Sequence, residues 1–193
     1  MPAKAIISTK SAFNSDLKPI FKKHPELFSF GKEGAGDFIL VSFILYELGK
    51  GDKSWWKPYF DTWPDDNELH MWWDDDEQDL LQDKTLVYDS NQWYDTYMET
   101  WERLYKVLKL YPEFFSESSI SMYSYKKVFT MTTNRCFGSW THVHCMVPFA
   151  EFINHENVHV SYDCLDTSGK SIVDWEEDRK EKEGVANNFI RRG

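Results

Sequence analysis

The chain has 193 residues, with 22 Lys+Arg against 32 Asp+Glu and a formal net charge of −10. That length fits one domain or about one and a half, and a 17% aromatic content supplies enough apolar area for a core, which argues against general disorder. No basic stripe is present to neutralise phosphates, so nucleic-acid binding is excluded, and the longest apolar run, residues 38–46, is far short of the roughly 20 residues of a membrane span.

The charge is local. Residues 58–83 hold ten acids and no Lys or Arg, so the rest of the chain is neutral. The N-terminus, Met1-Pro2-Ala3-Lys4, lacks a signal-peptide core. Cys136, Cys145 and Cys164 make an odd set without framework spacing, which reads as reduced thiols in a cytoplasmic or nuclear protein.

In chain order, residues 1–12 begin with a short extended piece through Ile6-Ile7-Ser8-Thr9. Residues 18–30 read as a helix stopped by Gly31, Gly34 and Gly36. Asp37 is placed to cap a helix to about Leu48, closed by Gly49 and Gly51. That helix is apolar nearly all round and is expected to be central and buried. Residues 54–60 form a short helix or turn ending before Pro64. After the acidic window, Trp72-Trp73 leads into a helical piece over 77–81. The strongest helical signal follows, capped by Asp89 or Ser90. Its stripe is Trp93, Tyr97, Trp101, Leu104, Leu108 and Tyr111, and Pro112 marks its end. A further helix is predicted over 120–137, then short strands between His142 and Cys164, with Val143, Val147, Phe149, Phe152, Ile153, Val158, Val160 and Tyr162 as apolar positions. The charged tail, 174–184, reads as solvated.

The segment Val147-Pro148-Phe149-Ala150-Glu151-Phe152-Ile153-Asn154-His155, about twelve residues after Asn134-Arg135-Cys136-Phe137, is the strongest local feature. Asn offers both donor and acceptor and is suited to the ammonium and carboxylate of an amino-acid-like ligand. The bland alternative is an Asn-His turn capping a strand. His142, His144, His155 and His159 join the three Cys within residues 136–164, yet they lack finger spacing and any Cys-x-x-Cys, so a zinc site is not expected. Asp74-Asp75-Asp76-Glu77 fails the EF-hand pattern, since its sixth position is Asp79 rather than Gly. It reads as a solvated run, with attraction of a basic protein partner as the sharper alternative.

Three motifs in order resemble the SET-domain protein methyltransferases of the RuBisCO large-subunit methyltransferase branch. The first is Leu45-Tyr46-Glu47 with Gly51, Ser54, Trp56, Pro58-Tyr59 and Trp63-Pro64. The second is Asn134-Arg135-Cys136-Phe137, similar to the family's "SRAF", and the third is the 147–155 segment, similar to "VPxxDxxNH". The opening piece at residues 2–9 also resembles the family's "VP" strand.

The resemblance covers about residues 1–165. It implies an α+β chain, a helix-dominated SET insert with a partial SET β-fold. Residues 1–12 would end the N-terminal SET portion, 13–130 form the insert, 131–165 begin the C-terminal portion, and 166–193 form the charged tail. It also implies S-adenosylmethionine as cofactor, with Arg135, Asn154 and His155 at its site and Glu151 where the family has Asp. Methyl transfer to a lysine ε-amine, or in a sister group to histidine, would follow. The family's glycine-rich loop precedes the "VP" strand and its catalytic tyrosine follows the Asn-His strand; neither is found here. The expectation is therefore a fragment of a longer protein or a degenerate member. The alternative function is a non-catalytic SET-like scaffold within a larger assembly. Expected partners are a protein substrate or a protein with a basic surface, with neither nucleic acid nor membrane.

Overall fold

The computed structural model describes residues 3–29, 35–65, 69–137 and 144–152. Its described residues fall into two compact units, one drawn from 1–40 and 135–193, the other from 41–134.

In the first unit, β1 (Ile7–Ser8) lies beside β3 (Cys145–Met146), which in turn pairs with β2 (Cys136–Phe137); both pairings are antiparallel. Ile7 faces Met146 and Ser8 faces Cys145; Cys136 faces Met146 and Phe137 faces Cys145. Ile7 and Met146 are completely buried. Ser8 ends the strand because its hydroxyl caps α1 (Thr9–Phe13), accepting from the Ser11 N–H at 3.2 Å. The single helix expected over 18–30 is instead two, α2 (Lys18–Lys23) and α3 (Pro25–Phe28). The break falls at His24, which precedes a proline and has left the helical region at φ −118°, ψ 61°. Phe21 holds the pieces together, edge-on to Phe13 at 5.4 Å and to Phe28 at 4.9 Å.

Helix α4 (Ala35–Gly49) is buried almost all round, as its composition predicts. Ile39, Leu40, Ser42 and Ile44 are wholly buried. It starts before Asp37, so that residue lies in its first turn and does not cap it.

In the second unit, Glu47 is 3% exposed, yet it is a carboxylate. Such a group is costly to bury without partners. Ser54 Oγ donates to its Oε2 at 2.7 Å, and the Lys50 ammonium pairs with its Oε1. Burial lowers the Lys50 pKa, but Glu47 outweighs it and the net shift is upward. The chain reaches Ser54 through Gly51, whose φ of +54° favours glycine. The Ser54 hydroxyl also accepts from the Trp56 N–H at 3.3 Å, and Trp56 packs edge-on to Phe43 at 5.4 Å. Gly49 allows a close approach, because a Cβ there would lie 3.1 Å from that of Ser119, tighter than ordinary contact.

After α5 (Lys57–Phe60), a 3-10 turn at His70–Trp72 and α6 (Asp75–Asp79) cross the acidic window. Asp74 and Glu77 form a capping box at the start of α6. Helix α7 (Lys84–Leu108) begins six residues or so before the expected start, because Asp83 caps it by accepting from the Thr85 and Leu86 N–H groups. Ser90 is an interior residue, fully buried and hydrogen-bonded to His70 at 2.9 Å. The expected stripe is largely the buried one and departs from it at the start. Tyr97, Leu104, Val107 and Leu108 are buried, but Trp93 is 51% exposed. The 70–72 turn selects this face: His70 sits at Ser90, and Trp72 lies 4.5 Å from Tyr97.

Helix α8 (Met122–Arg135) packs Tyr125 and Phe129 on Tyr97 at 5.0 and 5.2 Å. It stops at Arg135 and not at Phe137, because Cys136–Phe137 is claimed by pairing with β3. Of the strands expected between 142 and 164, only Cys145–Met146 lies among the described residues. Phe149 and Phe152 belong to a turn, with a 3-10 stretch at Ala150–Phe152. The described residues are helix-rich with one small sheet, the α+β class expected. Among the described residues no helix is long and apolar enough to cross a membrane.

Ser54→Ala is expected to lower unfolding stability by about 1–3 kcal/mol, since it leaves a buried carboxylate short of a donor. Urea denaturation would show this as a lower midpoint at unchanged slope; an unchanged midpoint would mean that Glu47 does not depend on Ser54.

Candidate functional site

Arg135 is the last residue of α8 and Cys136 the first of β2. Because β2 pairs with β3, the chain leaving β3 returns to the same place. The 3-10 turn at Ala150–Phe152 thus meets Arg135 across sixteen residues of sequence. Arg135 Nη1 lies 3.4 Å from Glu151 Oε1, a distance at the outer limit of a hydrogen bond. The Glu151 side chain is 1% exposed and that of Arg135 is 27% exposed. A carboxylate so buried needs a cation, and Arg135 supplies one while keeping an edge toward solvent. Its guanidinium carbon also lies 5.9 Å from the Phe152 ring centroid.

Phe149 precedes this turn with φ +71°, a left-handed conformation that a bulky residue rarely adopts. Its ring is 73% exposed and meets Phe152 edge-on at 6.0 Å. The turn therefore offers two exposed rings, a buried carboxylate and a half-buried guanidinium.

A second polar pair lies in the same unit. His144 Nδ1 is 2.7 Å from Asp37 Oδ1, joining residues 107 apart. The Asp37 hydrogen bond raises the His144 pKa against the opposing effect of burial. Cys136 Sγ donates to the Cys145 carbonyl at 3.2 Å, and burial pushes its thiol well up, so it is protonated at neutral pH. Cys136 faces Met146 and Cys145 faces Phe137, so alternation along the strands sends the two thiols to opposite faces. Among the described residues no three His, Cys, Asp or Glu are grouped to hold a metal.

Of the residues the sequence singles out for a cofactor, the structure brings Arg135 and Glu151 together. Asn154 and His155 lie outside the described residues. The pair that sequence reasoning missed is Asp37–His144. No local spacing signals it, because the two residues, on α4 and just before β3, meet only in the folded unit.

The fold so defined is similar to part of the fold of solved SET-domain structures. The particular likeness is to the SET domain of LSMT bound to lysine and AdoHcy, with a TM-score of 0.69 at 17% identity over 88% of this chain and 37% of that one. RuBisCO LSMT bound to sinefungin and monomethyllysine matches with a TM-score of 0.62, also at 17% identity, over 86% of this chain and 36% of that one. In sequence, the actin-histidine N-methyltransferase of Homo sapiens is 26% identical over 112 residues, 58% of this chain and 18% of that protein. No protein-family model matches the chain. The chain thus spans less than a fifth of the length of the actin-histidine methyltransferase it matches.

In the folded protein His144 is expected to titrate above the ordinary histidine value of about 6.5. Its raised pKa makes the pair stabilising below that value, and the contribution is lost as pH rises through the folded-state pKa. Asp37→Asn should move the titration down. Following the His144 ring protons by NMR measures this directly, and an unmoved midpoint would break the assignment.

Proposed function

We propose that this chain is part of an S-adenosylmethionine-dependent protein methyltransferase of SET type, acting on a lysine ε-amine of a protein substrate in the cytoplasm or nucleus. The observation that carries the proposal is the likeness in fold to LSMT structures bound to AdoHcy or sinefungin, combined with the Arg135–Glu151 pair at the helix–strand junction. In this reading residues 13–130 are the helical insert, flanked by the end of one SET portion at 1–12 and the start of another at 131–165.

The chemistry of the donor set fits the cofactor. Its carboxylate calls for a cation with several N–H donors, and a guanidinium has five. Arg135 takes this role, with Glu151 fixing its orientation from the buried side. Asn154 carries donor and acceptor together, and His155 follows it; both are assigned to the cofactor with Arg135. When bound, the cofactor supplies an electrophilic methyl group on a sulfonium. The protein's own task is to bind, orient and exclude water, and correct placement of reactants can supply a large share of a rate enhancement. A histidine acceptor is the second reading, favoured by the 26% identity to an actin-histidine N-methyltransferase.

Calorimetry on the full-length gene product tests the proposal. S-adenosylmethionine is expected to bind, and Arg135→Ala or Asn154→Ala to weaken it about tenfold or more, as loss of a charged or bidentate hydrogen bond would. An unchanged affinity removes the substituted residue from the site. No binding to the wild-type protein overturns the cofactor assignment and leaves a SET-like scaffold in a larger assembly.

A further inference from the structure

The second unit contains a cavity of about 460 Å³ beside the 70–72 turn, within the size range of small-ligand sites. Its apolar walls include the Trp72 and Tyr94 rings and the Met98 thioether, and its charged residues are one acid, Asp75, and one base, Lys126. Neither Arg135 nor Glu151 lines it.

Several polar groups of the wall are used within the protein. Trp72 Nε1 donates to Thr130 Oγ1 at 3.1 Å, Gln78 Nε2 donates to the Trp73 carbonyl at 3.0 Å, and Tyr97 Oη donates to the Met122 carbonyl at 3.4 Å. The two charges are different. Among the described residues no ion pair joins the Asp75 carboxylate to the Lys126 ammonium, although both residues line this space. Asp75 is exposed at the start of α6, behind the Asp74–Glu77 capping box. Lys126 is half-buried on α8, its Nζ 4.7 Å from the Trp72 ring centroid. A wall formed in advance loses little freedom when a ligand arrives.

These two residues set the ligand's charge. A cation would suit Asp75 and the aromatic faces but meet Lys126, and an anion would suit Lys126 but meet Asp75. An uncharged apolar group would cover both charges and strip their water without replacing it. A ligand with one ammonium and one carboxylate satisfies both with charge-assisted hydrogen bonds. An ammonium has three N–H donors, so Lys126 can hold the carboxylate from its place over Trp72. The rings and the thioether then take an apolar body.

We infer that this cavity binds a small zwitterion with an aromatic or apolar body, an amino acid or short peptide in chemistry, its ammonium at Asp75 and its carboxylate at Lys126. The inference does not rest on methyl transfer, because none of the residues assigned to the cofactor takes part.

The test uses the whole 193-residue chain and four probes: L-phenylalanine, the dipeptide Phe-Ala, phenethylamine with the ammonium alone, and 3-phenylpropionate with the carboxylate alone. The readout is NMR titration of the Trp72 and Trp73 indole N–H signals. L-phenylalanine or Phe-Ala should bind about tenfold tighter than either single-charge probe. The tighter of the two distinguishes a free amino acid from a peptide, since their charges are differently spaced. Lys126→Gln should remove the advantage over phenethylamine, and Asp75→Asn the advantage over 3-phenylpropionate. Both side chains reach solvent, so neither change is expected to disturb folding, and unchanged indole signals in the free variants would verify that. Equal or tighter binding of phenethylamine, equal or tighter binding of 3-phenylpropionate, no shift with any probe, or an advantage that survives both substitutions would each overturn the inference.

Discussion

The pairing of Cys136–Phe137 with Cys145–Met146 is the constraint on which the candidate site depends. It ends α8 at Arg135, since the next two residues need extended backbone to reach their partners. It also turns the chain back so that Ala150–Phe152 returns to that helix end. Without this register Arg135 and Glu151 would be sixteen residues apart with nothing to bring them together. A shift of one residue would reverse every side chain across the sheet. The register is secured by burial: Met146 is wholly buried between Ile7 on one side and Cys136 on the other, so slippage would expose an apolar side chain.

A second constraint works in the other unit, and there it is a polar group that is buried. Glu47, Lys50 and Ser54 tie the end of α4 to the loop after it. The spacing depends on Gly51, the one described glycine with a positive φ. This accounts physically for the glutamate, glycine, serine and tryptophan pattern that resembles a family motif. Those four residues form a local lock and need no ligand to explain them.

Elements whose signal is local were legible in the sequence. The apolar helix over 35–49 was, because nothing but burial suits eight consecutive apolar side chains broken only by Ser42. The amphipathic face of α7 was legible too, since Tyr97, Leu104 and Leu108 of the expected stripe are buried. Its start was not: Trp93 fits the period, but the turn at His70–Trp72 covers Ser90 and Tyr97 instead. The end of α8 was misread for the same reason. Cys136 and Phe137 continue the helix acceptably until a strand nine residues later claims them. Arg135 and Glu151 were found through motif likeness, whereas Asp37–His144 joins α4 to the residue before β3 across 107 positions and left no trace in spacing.

The net charge of −10 resolves into separate tasks along the acidic window. Asp74 and Asp83 cap helices, and Glu77 completes a capping box. Asp61 pairs with Lys57 at 2.7 Å, and Asp65 with Lys127 at 3.0 Å. These pairs are exposed and contribute little stability, so they do not explain why so much negative charge is gathered here. Capping explains part of it, because carboxylates near helix starts are favourable. Asp75, Asp76 and Asp79 are left exposed on α6, next in sequence to Trp72 and Trp73. Trp72 beside them is a packing residue: it lies 4.5 Å from Tyr97 and donates to Thr130, with Lys126 over its ring. The tryptophan thus joins the aromatic cluster, while the carboxylates next to it in sequence stay exposed.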